Sequence, residues 1–354
     1  MKKYAIVCFY TASKGGNGAA EVSLGILNAI KSNKKLFEIN DQNIKLNFIR
    51  FLFKFICIIK FIYKIKNYFK NVKKRIIIIE GASWVGYSFL FFILCKIFIK
   101  QIIVIYHSHN IEYDIRIKKN KNIIIILLTK YLEKLIFKFS NFATVVSKVD
   151  QKRIKQLYNL KSHILENGFN VNRLKKKKPK FQLPKYYYMF IGSYWFIPNK
   201  EAIDFLIEKI YPKIKGKFPK YKLIITGEGL PREKVKKNEI IYLKNVSKKS
   251  LNYIISKCSF LLFPLNKATG TKLKVIECLA LGKTIITNKN GIKGIDLISK
   301  DQPIIYKNIE EILSNIKRLE QKKFKKTLDK TSNYYKQKYN MSLLFNNFIQ
   351  NIKI

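Results

Sequence analysis

The segment from Asn266 to Gly282 reads NKATGTKLKVIECLALG and decides the fold. It follows an apolar run that ends at Pro264, and its loop of threonine and glycine precedes a helical pattern. Thr269 or Thr271 can cap this helix and Gly282 can end it, because these residue types favour the two helix termini. A helix that opens after a strand in this way directs free N–H groups and a partial positive charge at an anion.

The helical periodicity of this segment separates a polar face from a buried face. At about 100° per residue, Gly270, Lys274 and Glu277 share one face. A lysine at this place neutralises phosphate oxygens, and a carboxylate one turn further accepts hydrogen bonds from vicinal ribose hydroxyls. The alternative is a surface pair between Lys274 and Glu277, which stabilises a helix by only about 0.2–0.5 kcal/mol. The positions expected to be buried are Val275, Ile276, Leu279 and Ala280.

Short apolar runs alternate with helical patterns on both sides of this segment. Such a βαβ rhythm predicts an α/β protein with parallel sheets that helices cover on both faces. The second strand is expected to stop at Glu80-Gly81. The predicted strands are 3–9, 75–79, 102–106, 142–146, 186–191, 222–226, 240–243, 260–264 and 284–287.

A change of composition divides the chain into two halves. Residues 173–185 contain four consecutive lysines and two prolines, which is typical of a solvated linker. We therefore predict a Rossmann-like domain over 1–172, a linker over 173–185 and a second Rossmann-like domain over 186–330. Residues 331–354 are predicted as a C-terminal helix that can pack back on the first domain. Sheets of this doubly wound kind bind ligands at the carboxyl ends of their strands.

The chain is strongly basic. Lys and Arg total 70 and Asp and Glu total 22, so the formal net charge is +48. This excess favours polyanions: nucleic acid, anionic membrane surfaces or phosphorylated small molecules. Lysine is spread from end to end of the chain, and a coding bias toward A and T also produces such a lysine-rich sequence. We see no nucleic-acid-binding module and expect no nucleic-acid partner.

The cysteines and the apolar runs indicate in which cellular compartment the protein acts. None of the five cysteines forms a CxxC pair, which predicts neither a disulfide framework nor a zinc site and favours a reducing cytoplasm. Lysines interrupt the apolar runs 51–65 and 89–105, whereas a membrane span needs about 20 apolar residues. The amphipathic helix expected over 51–69 either packs on a sheet or lies on an anionic membrane surface.

Several segments resemble the GT-B glycosyltransferases of family 4, the glycosyl transferases group 1. GTKLKVIECLALGKTIIT, followed by Gly291 and Gly294, resembles the donor-binding signature of that family. GGNGAAEVSLGIL (15–27) resembles its N-terminal glycine loop, and YHSHNIEYDIR (106–116) its His-Asn-x-Glu segment. ATVVSK (143–148), ENGFN (166–170), FIGSYWFIPNKEAIDFL (190–206) and LIITGEGL (223–230) resemble further segments in the family's order.

The resemblance implies a GT-B fold, with two Rossmann-like, doubly wound domains facing a central cleft. It implies a retaining, hexosyltransferase-like, metal-independent enzyme that needs no cofactor. Such an enzyme moves a sugar from a nucleotide-diphosphate sugar to a glycan or lipid-linked acceptor in surface polysaccharide or lipopolysaccharide assembly. It would act in the cytoplasm, either free or peripherally at the inner face of the plasma membrane. The sequence contains no Asp-x-Asp motif or histidine-rich cluster that would bind a metal.

Two other functions stay open. The first is a polyanion-binding protein, specific for nucleic acid or an anionic membrane, with the charge itself as the function. The second is a catalytically degenerate homologue. Many family members carry two glutamates eight positions apart; Glu277 matches the second of these, but Thr269 stands at the first. The oligomeric state is also open.

The resemblance also implies roles for individual residues. The donor-binding set is Gly192, Ser193, Lys200, Gly227, Gly270, Thr271, Lys272, Lys274 and Glu277. In the acceptor or phosphate loop, Gly15 and Gly16 either let the backbone approach a ligand or serve a tight turn. Glu112 either binds a ligand or caps the next helix. The candidate catalytic residues are His107 and His109, which close a strand two residues apart and so point to the same side.

Overall fold

The computed structural model describes residues 2–13, 18–40, 47–118, 122–237, 239–266, 272–298, 303–321 and 325–354. The chain divides into two compact units. Unit 1 comprises Met1–Phe169 and Met341–Ile354, and unit 2 comprises Asn170–Asn340.

Strands and helices alternate along both units. The strands are β1 (Lys2–Cys8), β2 (Asn33–Glu38), β3 (Lys74–Gly81), β4 (Ile102–Ser108), β5 (Phe142–Val145), β6 (His163–Ile164), β7 (Tyr187–Ile191), β8 (Lys222–Thr226), β9 (Ile241–Leu243), β10 (Phe260–Phe263), β11 (Ile285–Thr287) and β12 (Ile304–Ile305). The helices are α1 (Gly18–Ala29), α2 (Asn47–Tyr68), α3 (Val85–Phe98), α4 (Glu112–Lys118), α5 (Ile123–Phe139), α6 (Lys148–Tyr158), α7 (Ile197–Phe205), α8 (Tyr211–Lys217), α9 (Arg232–Lys237), α10 (Lys248–Lys257), α11 (Leu273–Ala280), α12 (Ile309–Glu320), α13 (Lys325–Lys338) and α14 (Met341–Asn351).

Unit 1 is built on a parallel six-stranded sheet in the order β2-β1-β3-β4-β5-β6. Its central strands β3 and β4 are runs of isoleucine and valine that are buried on both faces, as strands between two helical layers must be. The edge strand β2 escaped prediction, because its sequence NKKLFE is lysine-rich and half of it is exposed. Charged residues are typical of an edge strand, which pairs on one side only.

The predicted end of the second strand was wrong. β3 continues through Glu80 and Gly81, which pair in register with His107 and Ser108 of β4. A buried glutamate breaks the apolar pattern, so the sequence indicated a stop. The strand tolerates Glu80 because hydrogen bonds from neighbouring side chains satisfy its carboxylate.

Unit 2 has a second parallel sheet in the order β12-β11-β10-β7-β8-β9. Numbered from its own first strand and read from β9, this is the order 3-2-1-4-5-6 of the doubly wound dinucleotide-binding fold. The order reverses between β7 and β10, which are neighbours in the sheet. Ligands of such folds bind at this switch point, beyond the carboxyl ends of the strands.

The segments around the unit boundaries have specific partners. The predicted linker 173–185 counts with unit 2, where Lys177 donates its backbone N–H to the carbonyl of Lys249. In unit 2, α13 packs on α11, and Ser332 donates its hydroxyl to the carbonyl of Ala280. Helix α14 belongs to unit 1, where it packs on α1 and the N–H of Met341 donates to the carbonyl of Phe169.

The five cysteines are free thiols, as the sequence predicts. Among the helices that the structure describes, none is both long and apolar enough to cross a bilayer.

Candidate functional site

The glycine loops after β7 and β8 touch each other at the switch point of unit 2. A Cβ atom on Gly227, whose φ is +141°, would lie 2.3 Å from the carbonyl oxygen of Gly192, so only glycine fits there. The N–H of Gly192 donates to the carbonyl of Thr226 at 2.8 Å. Three predicted donor-binding residues, Gly192, Ser193 and Gly227, are thereby brought together.

Lys274 reaches this glycine loop from α11. Its ammonium group donates to the carbonyl of Ile191 at 3.1 Å and to Oδ1 of Asn199 at 2.7 Å. The ammonium also lies 4.8 Å from the ring centroid of Phe190 and 5.3 Å from that of Phe263. Desolvation among these groups lowers the pKa of Lys274 to about 7. A cation with poor hydration and only neutral hydrogen-bond partners is suited to an anionic ligand.

The start of α11 differs from the prediction. The N-cap is Lys272, which makes no side-chain cap hydrogen bond, and not a threonine. Lysine has no acceptor atom, so the Lys272 side chain does not cap the first N–H groups of the helix. Burial, followed by the nearby charge of Lys293, lowers the pKa of Lys272 to about 8. Gly270 and Thr271, together with Thr269, lie outside the described residues.

Glu277 has a partner that the sequence did not indicate. Lys248, at the start of α10, donates to the Glu277 carboxylate at 2.5 Å. The alternative interpretation of a surface pair between Lys274 and Glu277 is therefore wrong, since each side chain bonds elsewhere. As the helical spacing predicted, the apolar positions of α11 are buried: Val275, Ile276, Leu279 and Ala280.

Lys200 does not reach the glycine loop in this structure. It lies exposed on α7, with its ammonium group 5.7 Å from the ring centroid of Tyr194. Asn199, one residue earlier, is the side chain that contacts the loop, because its amide nitrogen donates to the carbonyl of Ser193 at 3.1 Å. Asn199 was missed because an asparagine near a helix start is usually read as a helix-capping residue.

In unit 1 both candidate catalytic histidines lie at the carboxyl end of β4. Their ring centroids are 4.8 Å apart, so they do point to the same side. Nε2 of His109 lies 2.7 Å from Oε2 of Glu80, and Nδ1 of His107 lies 2.7 Å from Oγ1 of Thr144. Strands β1, β3 and β4 are neighbours in the sheet, which explains how Glu80 meets the histidines.

Burial and mutual attraction determine the charges in this histidine cluster. Burial lowers the pKa of His107 to about 4, although Glu80 opposes this. Burial alone would raise the pKa of Glu80, but electrostatic attraction to the His107 and His109 rings and hydrogen bonds from His109 and Ser23 hold it below its usual value. At neutral pH Glu80 is therefore a carboxylate and His107 is neutral. Among the described residues, Glu80, His107 and His109 form the one group of side chains, with ligand atoms within 4.8 Å of one another, that can hold a metal ion.

Glu112 does not cap its own helix, and its carboxylate is paired with Arg116. It is the first residue of α4, and its carboxylate accepts two hydrogen bonds from Arg116, at 2.8 and 2.6 Å. The cap comes from Glu133 on α5, whose carboxylate accepts the N–H groups of Glu112 and Tyr113 at 2.7 and 3.3 Å. Gly15 and Gly16 lie outside the described residues.

Solved structures share this architecture. Sucrose-phosphate synthase from Thermosynechococcus elongatus matches with a TM-score of 0.71 and 14% identity, over 100% of this chain and 98% of its own. HepE from Anabaena, in complex with UDP-glucose, matches with a TM-score of 0.69 and 10% identity, over 99% of both chains. A mutant of TarM from S. aureus, in complex with fondaparinux, α-GlcNAc-glycerol and UDP, matches with a TM-score of 0.60 and 15% identity, over 84% of this chain and 59% of its own.

At these identities the likeness shows the fold, and the fold is GT-B, as the sequence predicted. Residues 185–322, which make up most of unit 2, match the model of the glycosyl transferases group 1. No curated protein matches the chain.

Proposed function

We propose that the protein is a retaining glycosyltransferase that moves a sugar from a nucleotide-diphosphate sugar to a glycan or lipid-linked acceptor. The observation that supports this most directly is the position of Lys274. Its ammonium group lies on the glycine loop at the switch point of unit 2, within the segment that matches the model of the glycosyl transferases group 1. Doubly wound sheets bind nucleotides at this point.

The donor diphosphate would lie between the glycine loop and the start of α11. The N–H groups at the start of α11 and the charges of Lys272 and Lys274 would stabilise the negative charge that develops as the sugar–phosphate bond breaks. The glycines at 192 and 227 let the phosphate approach the backbone. Because these groups supply the positive charge, we propose that the reaction needs neither a metal ion nor a cofactor.

The ribose of the donor would lie beside Glu277. A carboxylate accepts hydrogen bonds from two vicinal hydroxyl groups, and Lys248 holds the Glu277 carboxylate in place at 2.5 Å. Two of the similar structures hold UDP or UDP-glucose, which makes UDP-sugars the first donors to examine.

Unit 1 would bind the acceptor. We propose that this unit contacts an anionic membrane from the cytoplasmic side. Helix α2 contains no acidic residue. Its outer face is apolar at intervals of four, four, three and four residues, and these side chains lie exposed in the described part of unit 1. Lysines 60, 64 and 66 lie exposed beside it. An apolar stripe flanked by lysines suits an anionic bilayer surface. The stripe consists of Phe48, Leu52, Ile56, Ile59 and Tyr63.

Helix α5 extends this apolar surface. Trp84 joins the two helices, since its ring packs on Phe51 of α2 and its Nε1–H donates to Thr129 of α5 at 3.1 Å. The inner face of α5 holds Thr129 and Glu133, while its outer face exposes Ile124, Leu128 and Tyr131. A lipid-linked acceptor for surface polysaccharide assembly would be met at such a surface.

The membrane contact is tested by sedimentation with vesicles of phosphatidylcholine alone and with added phosphatidylglycerol. We expect binding to the anionic vesicles only, and a loss of that binding in the double variant Ile56→Ser/Ile59→Ser. Leu343→Ser, which changes an exposed leucine on α14, is the matched control and should bind as the unaltered protein does. Equal binding of all three proteins would contradict the assignment of this surface.

The transferase activity is tested with a panel of nucleotide sugars. We expect one of them to raise the melting temperature and to be hydrolysed slowly without an acceptor. The anomeric proton signal of the first product should show retained configuration at the sugar carbon. A panel in which no nucleotide sugar binds would contradict the proposal and favour a degenerate homologue. Binding of nucleic acid at physiological salt, where weak polyanion contacts are screened, would instead favour a polyanion-binding protein.

A further inference from the structure

Glu80 is a fully buried carboxylate that the donor site of unit 2 does not use. Its Oε2 atom accepts a hydrogen bond from Ser23 at 2.7 Å and lies 2.7 Å from Nε2 of His109. Its Oε1 atom has no hydrogen-bond partner in the described part of the chain. A buried carboxylate is costly, so its place at the end of β3 calls for a function or a compensating network.

Two groups donate to the carboxylate of Glu80, which as a carboxylate only accepts. The hydroxyl of Ser23 lies 2.7 Å from Oε2 of Glu80 and 3.1 Å from the carbonyl oxygen of Ala19, so its one proton is shared between these two acceptors. The hydroxyl of Tyr10 lies 2.7 Å from that of Ser23. The bond from Nε2 of His109 has no competing acceptor among the contacts named here, and its direction is from the ring to Glu80.

This direction determines the tautomer of His109. Its Nε2 atom carries the proton that Glu80 accepts, so in the neutral form of the ring Nδ1 has no proton and can accept a hydrogen bond. His107 has the opposite arrangement. The hydroxyl of Thr144 donates to the carbonyl of Tyr106 at 3.4 Å, and Thr144 therefore accepts from Nδ1–H of His107.

We propose that Glu80 is a positioning residue that fixes His109 in the Nε2–H tautomer, so that Nδ1 of His109 accepts a hydrogen bond from a substrate hydroxyl group. The proposal rests on the proposed function in one respect, since the hydroxyl belongs to a sugar substrate. It assigns the contact to His109, because His109 retains 5% of its surface exposed while His107 retains none. His107 then serves as the inner neighbour of His109.

Two variants separate the acceptor role of Glu80 from its charge. Glu80→Gln keeps a carbonyl oxygen that can accept from His109, but it removes the negative charge. Glu80→Met has a similar length and offers neither. We expect Glu80→Gln to retain the Nε2–H tautomer and most of kcat. Glu80→Met should lose the tautomer preference and lower kcat at least tenfold, because a misplaced proton on a histidine disables the acceptor atom.

The tautomer is measured directly by two-bond ¹H–¹⁵N correlation of the imidazole rings, which is simple in a chain with three histidines. His163, exposed in β6, is the internal reference. Glu133→Gln is the matched control, since Glu133 is a fully buried carboxylate of unit 1 whose hydrogen-bond partners are Glu112, Tyr113 and Tyr158. We expect this variant to leave the His109 tautomer unchanged.

Kinetics and metal binding complete the test. Glu80→Met should leave the Kd of the nucleotide diphosphate unchanged, because unit 2 binds the nucleotide. If Glu80 had a purely structural role, its loss would lower the melting temperature and change both kcat and this Kd. An unchanged His109 tautomer in Glu80→Met would overturn the proposal. So would stoichiometric zinc binding that is lost in Glu80→Gln, since the three side chains would then be metal ligands. The tautomer is measured without substrate, so its result is independent of whether the chain proves to be a glycosyltransferase.

Discussion

Nζ of Lys274 lies 2.7 Å from Oδ1 of Asn199, which joins α11 to the start of α7 across the switch point of unit 2. The two acceptors of this ammonium group, the carbonyl oxygen of Ile191 and Oδ1 of Asn199, are both uncharged. The same position makes the charge of Lys274 sensitive to pH in the neutral range.

Donor affinity should depend on pH through Lys274. Burial lowers the pKa of Lys274 to about 7, and the diphosphate prefers the charged form. Affinity for a nucleotide-diphosphate sugar should thus be highest below pH 7 and fall as the pH rises, by up to about tenfold per unit for one linked proton. Titration calorimetry between pH 6 and 9 measures this. Lys274→Arg should reduce the dependence and move what remains to higher pH, because arginine stays charged and only Lys272, whose pKa is about 8, still titrates in this range.

Lys274→Ala should weaken donor binding at every pH below 7 or lower turnover. The control is Lys213→Ala, which removes an exposed lysine paired with Glu310. If Lys274→Ala and Lys213→Ala bind the donor equally well, Lys274 is a structural residue only.

Glu277→Ala should weaken donor binding while unit 2 stays folded. Two hydrogen bonds from ribose to a charged acceptor contribute about 1.5–3 kcal/mol each, so a loss of at least about tenfold in affinity is expected. Calorimetry measures the affinity, and the melting temperature reports the fold. Glu310→Ala, an exposed glutamate of α12, is the control. Unchanged donor affinity in Glu277→Ala would remove the ribose role.

Gly227→Ala should destabilise unit 2. The new Cβ would collide with the backbone of Gly192 at 2.3 Å, and the φ of +141° is unfavourable for alanine. We expect a loss of roughly 2 kcal/mol or more in the free energy of unfolding. Gly216→Ala, within α8, is the control, since its Cβ would meet nothing within 4 Å. That change should stabilise the protein by about 0.5–1 kcal/mol, which helix propensity predicts. Equal melting temperatures for the two variants would contradict the close approach.

The stability of unit 1 should depend on Glu133. Burial raises the pKa of its carboxyl group to about 7, against the hydrogen bonds from Tyr158 and two backbone N–H groups. The folded state thus binds a proton that the unfolded state releases near pH 4.5. Stability should fall as pH rises between these values, by on the order of 3 kcal/mol.

Urea unfolding at pH 5 and pH 8 measures this loss, and Glu133→Gln should reduce it. Trp84 reports on unit 1, because its ring donates to Thr129 on α5, and Trp195→Phe removes the only other tryptophan signal. The same pH dependence in the unaltered protein and in Glu133→Gln would assign the proton to another group.

Local patterns predicted much of the fold. The runs RIIII and QIIVIY lie in the buried strands β3 and β4, as predicted from short apolar segments between turn signals. Gly282, with φ of +71°, ends α11 as predicted, because glycine adopts the left-handed conformation after a helix without a steric clash. Two strands with charged residues were mispredicted: the lysine-rich β2 was missed, and β3 was cut short at the buried Glu80.

The amino-acid sequence by itself determined the alternation of strands and helices, the helix after β10 and the two faces of that helix. These depend on periodicity and on residue types within a few positions of each other. Only the tertiary structure decided the partners: Asn199 for Lys274, Lys248 for Glu277 and Glu80 for His109. Each pair joins residues 29 to 75 positions apart along the chain. Their meeting depends on which strands lie side by side in a parallel sheet, and no local pattern specifies that order.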